Sequence, residues 1–441
     1  MARTRHVIVG GGTAGLNAVT TIRQYDRGAS EICWVSAERP YARMVLPYYL
    51  KGDISETHCM TARPTRLREL DVEPFFGRRA VQLDTHAQVL TLDDETEITY
   101  DDILIATGSS PVRPPIPGAD GDGVHSFWTL EQAQGVIRSV HDGGHVAMVG
   151  AGFIAFTILN SIRARGAQLT VLEVAPQILP RMIDQDGAAL VQQWLQERGV
   201  TIRTSAQIAA VEDAAGKKCL RVQDGDDVLA DTVIMATGIR TNLAWLDGSG
   251  IEINSGILVD EHLRSNIPSV YAAGDVAEGR DLITGQPAIH AIEPTAMEHG
   301  RVVGANMAGQ LQAYRGSLLM NIVEVLGLEI ASFGAWNDPD AEVFSALKPE
   351  RSAYRKLLWD GDRITGAMLL GRSNDVWTTN DVGMLKGLVQ TGTRLGDWKA
   401  YLRDHLFEIK RAYIASGTTA RLLPQTVQGS PSVPAAAVAA R

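Results

Sequence analysis

Two glycine-rich turns carry most of the chemical information in this chain. One reads Gly10-x-Gly12-x-x-Gly15 and the other Gly150-x-Gly152-x-x-Ala155. Each follows an apolar run, His6-Val7-Ile8-Val9 or His145-Val146-Ala147-Met148-Val149, and each opens a helical stretch. That order suits the pyrophosphate of a dinucleotide. The first glycine permits a tight turn. The second lets the backbone approach the phosphates at the positive helix end. The third, where alanine is an accepted variant, lets helix and strand pack closely. An acid follows each turn. Glu38 lies where the second strand ends, within reach of ribose hydroxyls, and Glu173 closes Leu169-Thr170-Val171-Leu172. A carboxylate at Glu173 can accept from both ribose hydroxyls and repels a 2′-phosphate. Val174-Ala175-Pro176 supplies no arginine to hold that phosphate, so the pattern favours NAD(H) over NADP(H). A third acid, Asp275, follows Ala272-Ala273-Gly274, small residues that let a cofactor come close while the acid accepts from its hydroxyls. The plainer alternatives are a ligand-free turn, an edge-strand cap at Glu173 and a turn cap at Asp275.

Strand–turn–helix–strand units must position these residues, and the sequence predicts two. In the first, a helix runs to about Arg23 and a strand covers Ile32-Cys33-Trp34-Val35; in the second, a helix runs to about Arg165 before the strand that ends at Glu173. Two such units so far apart imply two nucleotide-binding domains. Tyr100 to Gly108 is a buried strand ending in the small turn Ala106-Thr107-Gly108, and Thr232 to Gly238 repeats it with Thr237-Gly238. Thr85 to Tyr100 reads as a hairpin or meander. Pro114-Pro115-Ile116-Pro117-Gly118 reads as a linker. Beyond Gly316 the chain reads as α+β, with strands such as Met320 to Leu326 and a helix around Asp381 to Val389. Gly417 to Arg441, rich in Ala, Pro, Ser and Thr, reads as a mobile tail or an arm that orders on a partner.

Composition narrows the partners. Lys and Arg number 41 against 51 Asp and Glu, and the net charge of −10 gives no electrostatic reason to hold nucleic acid or an anionic membrane. No apolar run approaches the ~20 residues that span a bilayer. The first strand begins almost at once, with no signal or transit pattern before it, so a cytoplasmic protein is expected. Cys33, Cys59 and Cys219 form no C-x-x-C and no Cys/His metal pattern, so neither a structural metal nor an internal iron–sulfur cluster is expected.

The order GxGxxG, ATG, GxGxxA, ATG, GD resembles the pyridine-nucleotide–disulfide oxidoreductase superfamily of flavoproteins. It is most similar to the branch of rubredoxin and ferredoxin reductases, NADH oxidases and the flavin portion of nitrite reductase. The likeness is strong over about residues 5 to 310 and weak beyond. It implies two Rossmann-like, three-layer ββα domains plus a C-terminal α+β domain. The expected bounds are 1–117 and 250–315 for FAD, 118–249 for NAD, 316–410 for a docking domain and 411–441 for the tail. It implies FAD held by Gly10, Gly12, Thr13, Ala14 and Gly15, with Glu38, Arg43 (in Pro40-Tyr41-Ala42-Arg43), Ala80, Ala106, Thr107, Gly108, Gly274 and Asp275. Pro294 and Thr295 start a helix whose N-terminus is expected to face the pyrimidine end of the flavin. NAD(H) is assigned to Gly150, Gly152, Phe153, Ile154, Glu173, Thr237 and Gly238.

What is missing shapes the chemistry. Disulfide-reducing members need a C-x(4)-C pair beside the flavin, and single-cysteine members need a cysteine in the loop that here reads Arg43-Met44-Val45-Leu46-Pro47-Tyr48. Neither is present; Cys33 and Cys219 read as core, and Cys59 lies outside the expected position. The glutamate often found at position 157 is Thr157, and its lysine partner is Tyr48, so a buried ion pair is absent as a pair. No general acid or base is identified, and hydride transfer to flavin demands none. The expectation is therefore an FAD-containing NAD(H):acceptor oxidoreductase that exchanges single electrons with an iron–sulfur protein or subunit, within a hetero-oligomer or homodimer. Flavin subunits of anaerobic dehydrogenases, such as tungsten aldehyde oxidoreductase or phenylglyoxylate dehydrogenase, are a narrower resemblance. The rivals are a self-contained NADH oxidase or carrier reductase, and a non-enzymatic NADH-sensing scaffold. Trp336, Trp359, Trp377 and Trp398 are read as core residues before interface residues.

Overall fold

The computed structural model describes residues 3–421. Its first sheet has five parallel strands in the order Val270–Ala272, Asp102–Ile105, Arg5–Val9, Glu31–Ser36, Glu73–Phe76. A parallel sheet is covered on both faces, and the period of two sorts its side chains accordingly. Val7, Val9, Cys33, Val35, Ile103 and Ile105 pack on the antiparallel meander Ala80–Asp84, Val89–Leu92, Glu97–Thr99. Ile8, Ile32, Trp34 and Leu104 pack on the opposite face with residues of helices Thr13–Asp26 and Glu293–Met307. These two helices cross closely because the second presents glycines. A methyl group at Gly300 would stand 2.3 Å from the Ala14 carbonyl oxygen, and one at Gly304 would stand 2.6 Å from that of Ala18.

The second unit repeats the plan. Five parallel strands run in the order Val200–Arg203, Gln168–Leu172, His145–Val149, Thr232–Met235, Val124–Ser126. Its outer layer is the antiparallel sheet Ile208–Ala214, Lys217–Val222, Val228–Ala230. Two short antiparallel strands, Ser109–Pro111 and Ile239–Thr241, carry the chain out of the first unit and back.

The last unit is a five-stranded antiparallel sheet in the order Met320–Val325, Leu328–Gly334, Arg363–Arg372, Ala353–Asp360, Glu342–Lys348, with helix Val376–Thr391 against it. Trp336 and Trp359 are buried, and Trp398 packs against the core; the Trp377 side chain lies outside what is described. The chain stays packed past residue 410, because helix Ile409–Ala415 buries Ile409 and Ala412 in the same core. Residues 422–441 of the expected tail lie outside the described residues. Asp184, at the start of helix Gln185–Gln196, accepts from Tyr354 at 2.8 Å and Lys356 at 3.0 Å, and Trp194 donates to the Leu326 carbonyl at 3.1 Å, so the second and third units are tied directly.

Candidate functional site

The two glycine turns adopt one geometry. Gly10 has φ +131°, and a methyl group there would stand 2.0 Å from the Ala106 carbonyl oxygen. Gly150 has φ +99°, and its methyl would stand 2.4 Å from the Ala236 oxygen. The first glycine of each turn therefore presses on the end of the neighbouring strand. The second differs. A methyl group at Gly12 or Gly152 meets no protein atom within 4 Å, so the space beside each is open to a ligand. Both residues cap their helices without a side-chain hydrogen bond, and neither helix carries an acid in its first turn. The contrast lies close by. Helix Leu130–Ser139 is capped by Thr129, and helix Gln185–Gln196 by Asp184. Two uncapped, acid-free helix starts beside open glycines are built to receive anions.

Around the first turn the expected residues converge. Gly274 (φ +75°) approaches Ala14, where a methyl group would stand 3.3 Å from the Ala14 Cβ and 3.6 Å from that of Ala296. Pro294 and Thr295 lie in the first turn of Glu293–Met307, and Glu293 accepts from the Thr13 hydroxyl at 3.3 Å. Thr107 and Gly108 are pinned by Asn242. Its side chain donates to the Thr107 carbonyl at 2.9 Å, and its backbone N–H donates to that of Gly108 at 3.0 Å. Asp275 accepts from the Ser109 hydroxyl at 2.5 Å. Desolvation lifts its carboxyl above the usual range, while Ser109 and the charge of Arg43 pull the other way. Arg43 donates to the Trp128 carbonyl at 2.5 Å and stands 3.5 Å from Glu38. Ala80 starts the meander strand and packs on its core; no hydrogen bond among the described residues ties it to the turn. This cradle fits FAD. The open Gly12 suits a pyrophosphate, and an acid at the end of small residues suits the ribityl hydroxyls.

Around the second turn, Glu173 is buried and both carboxylate oxygens are engaged. One accepts from Ala151 N at 2.6 Å and the other from Ala175 N at 2.8 Å, which locks the acid between the glycine turn and the following loop. Each oxygen keeps a lone pair for a ribose hydroxyl. Thr237 donates to the Val112 carbonyl at 2.6 Å, joining the second small turn to the crossover strands, and Gly238 has φ +113°. Phe153 packs on the domain core. The Ile154 carbonyl accepts from Thr157 at 2.7 Å, so Thr157 is spent within its own helix, and Tyr48 is 57% exposed. Neither takes up the missing ion pair.

All three cysteines are buried and free. Burial, then Glu73, pushes the Cys33 thiol up to about 12, and burial also raises Cys59. A thiol held protonated is neither nucleophile nor relay. Among the described residues no group of His, Cys, Asp and Glu could hold a metal ion, and no helix is long and apolar enough to cross a membrane. Ser109, Trp128 and Asn242 escaped the sequence reading. Ser109 follows Thr107-Gly108 directly, and the repeated Thr-Gly pattern places Asn242 four residues after Gly238. No sequence signal marks Trp128.

Two parallel sheets, each ending in an open glycine turn, define a protein that binds two dinucleotides. The chain belongs to the pyridine nucleotide-disulphide oxidoreductase family, which matches residues 4–300. Residues 320–381 match the rubredoxin NAD+ reductase C-terminal domain. The chain is thus an FAD- and NAD(H)-dependent oxidoreductase. It is 32% identical to an NADH oxidase of Methanocaldococcus jannaschii over 75% of this chain and 76% of that one. It is 29% identical to the NADH-dependent phenylglyoxylate dehydrogenase subunit epsilon of Aromatoleum evansii, over 81% and 86%. The structure is similar to an NAD-dependent persulfide reductase from A. fulgidus (TM-score 0.82, 27% identity, 89% and 78% covered). The chain spans about half of two longer Bacillus subtilis relatives, 48% of a nitrate reductase electron transfer subunit and 46% of a nitrite reductase.

Proposed function

We propose that this chain moves a hydride between NAD(H) and FAD and exchanges single electrons with an iron–sulfur protein or subunit. The observation that carries this reading is the absence of a competent thiol beside a complete pair of dinucleotide cradles, with all three cysteines buried. A bound flavin supplies the exchange between two-electron and one-electron chemistry. The chain supplies placement. Gly10 to Gly15 and Gly150 to Ala155 anchor the two pyrophosphates, Glu38 and Glu173 take the riboses, and Asp275 takes the ribityl chain. Helix Leu46–Lys51 of the flavin loop is fastened to helix Phe153–Ala164 by Ser161, which donates to Pro47 O at 2.7 Å, and by Arg165, which donates to Leu50 O at 3.2 Å. That joint fixes the two cradles relative to each other, as orientation-driven transfer needs. The phenylglyoxylate dehydrogenase subunit among the relatives supports a place in a multi-subunit assembly.

A second reading, a self-contained NADH oxidase, is favoured by the M. jannaschii relative. Anaerobic mixing separates the two. Stoichiometric NADH is expected to bleach the flavin within seconds, and oxidised rubredoxin or ferredoxin to restore its colour far faster than air does. Reoxidation faster in air than with any carrier supports the oxidase. A flavin that stays yellow under excess NADH overturns both and leaves the scaffold.

A further inference from the structure

We propose that Trp128, a residue of the nicotinamide unit, is a positioning residue of the flavin cleft that holds Arg43 and, through Ser109, Asp275. The inference rests on the FAD reading above. Trp128 follows the strand Val124–Ser126 and immediately precedes Thr129. Thr129 forms a reciprocal cap with Gln132, two bonds of 3.2 Å, so the backbone at the indole is fixed by the start of helix Leu130–Ser139. The next N–H, that of Leu130, donates to the Tyr41 hydroxyl at 3.0 Å. The nicotinamide unit therefore grips the flavin loop at this point.

Arg43 is held on three sides. Its guanidinium carbon lies 5.5 Å from the Tyr41 ring centroid and 5.4 Å from that of Trp128, and one nitrogen donates to the Trp128 carbonyl at 2.5 Å. The indole N–H donates in turn to the Ser109 carbonyl at 2.7 Å, and the Ser109 hydroxyl donates to Asp275 at 2.5 Å. One side chain thus connects two arms of the cradle, Arg43 and Asp275, that lie far apart in sequence. The competing partner of Arg43 is Glu38, 3.5 Å away, with both side chains about one third exposed. Such a pair is worth little in water, yet it is the ionic contact left to Arg43 once the ring is gone. Arg43 then settles on Glu38 and occupies the carboxylate meant for the ribose. Trp128 prevents this with a ring face and a backbone acceptor.

The test is the dissociation constant of FAD for the full-length chain, measured by quenching of flavin fluorescence on titrating the deflavinated protein. Trp128→Leu is expected to weaken FAD about tenfold, the combined effect of one hydrogen bond and one cation–ring contact. Trp128→Phe keeps the ring over Arg43 and loses the N–H, so about threefold is expected. In an Arg43→Met background the Trp128→Leu change is expected to add only about threefold, the share that passes through Ser109 rather than through Arg43. The NAD+ dissociation constant stays at the wild-type value throughout. Unchanged FAD affinity in Trp128→Leu, or the same tenfold loss without Arg43, overturns the proposal. Should Trp128→Leu fail to fold, Trp128→Phe decides: a threefold loss sustains the proposal and an unchanged constant overturns it. A wild-type chain that takes up no FAD sinks the parent reading instead, so the two failures are distinct.

Discussion

Within each turn, the first and second glycines are the same residue type but answer to different demands, and substitution separates them. Gly10 holds φ +131° with the Ala106 carbonyl where a side chain would be. Gly10→Ala is therefore expected to cost about 3 kcal/mol of folding stability, from backbone strain and a clash with rigid backbone. Gly12 meets no protein atom. Gly12→Val is expected to lower the thermal midpoint of the apoprotein only slightly, the cost of a poorer helix cap, while weakening FAD at least about tenfold, since the added methyls fall in the ligand's space. Gly152→Val mirrors it, sparing FAD and weakening NADH. Thermal melts paired with two ligand titrations check the set; a Gly12→Val chain that binds FAD normally breaks the argument. Residues whose place beside the two turns follows from type and local spacing, such as these glycines, Glu173 and Asp275, were legible in the sequence. Ser109 and Trp128 were not, because their roles come from the meeting of segments whose separation no local pattern encodes.

Strands buried on both faces declared themselves as apolar runs closed by small turns. The unbroken apolar run Val7-Ile8-Val9 and the small turn after Ile105 marked the parallel strands, and the observed strand and helix bounds differ from the expected ones by only a few residues. The C-terminal sheet was harder, and Arg355 shows why. In the run Ala353-Tyr354-Arg355-Lys356 nothing local separates two adjacent cations, yet the strand sends Lys356 to Asp184 and buries Arg355 at 2% exposure. Arg355 stands 3.3 Å from Asp381 on helix Val376–Thr391 and donates to the Leu370 carbonyl at 2.8 Å, but its Nε has no partner. Burial lowers the Arg355 pKa and lifts Asp381 to about 6 despite their mutual attraction, so desolvation outweighs the pairing on both sides. Arg355→Met alone is expected to cost about 3 kcal/mol, because a buried carboxylate is left unpaired. The double variant Arg355→Met with Asp381→Leu is expected to recover most of that loss, measured by chemical denaturation. A double variant as unstable as the single one contradicts this account.

At the scale of the whole molecule, the two dinucleotide units were visible as a repeated grammar, but their mutual docking was not. Asn160 illustrates this. From the helix after the second glycine turn, its side-chain nitrogen donates to the Glu324 carbonyl at 3.0 Å and its oxygen accepts from Leu326 N at 2.9 Å. With Ser161 on the same helix and Arg165 at its C-terminal end gripping the flavin loop, one helix joins all three units. Nothing local to that helix names either partner.

That assembly bears on how electrons leave. Cys59 is the thiol with the best claim to a part in it. Its carbonyl accepts from Ala42 N at 2.9 Å in the flavin loop, and the residue is fully buried beneath that loop. Its thiol nevertheless points to the Ser55 carbonyl at 3.7 Å within its own short helix, and burial keeps it protonated. Cys33 lies inside the first parallel sheet and Cys219 in the outer layer of the second unit, so neither shares an element with the loop. A chain with all three changed to alanine is therefore expected to keep NADH-driven carrier reduction within about twofold of wild type. Its folding stability should fall by about 1 kcal/mol per site, as small buried groups are lost. Assay at low temperature separates the two effects. A hundredfold loss of turnover in a folded, flavin-loaded triple variant, reproduced by Cys59→Ala alone, would place a thiol on the electron path and return the chain to the disulfide chemistry of its family.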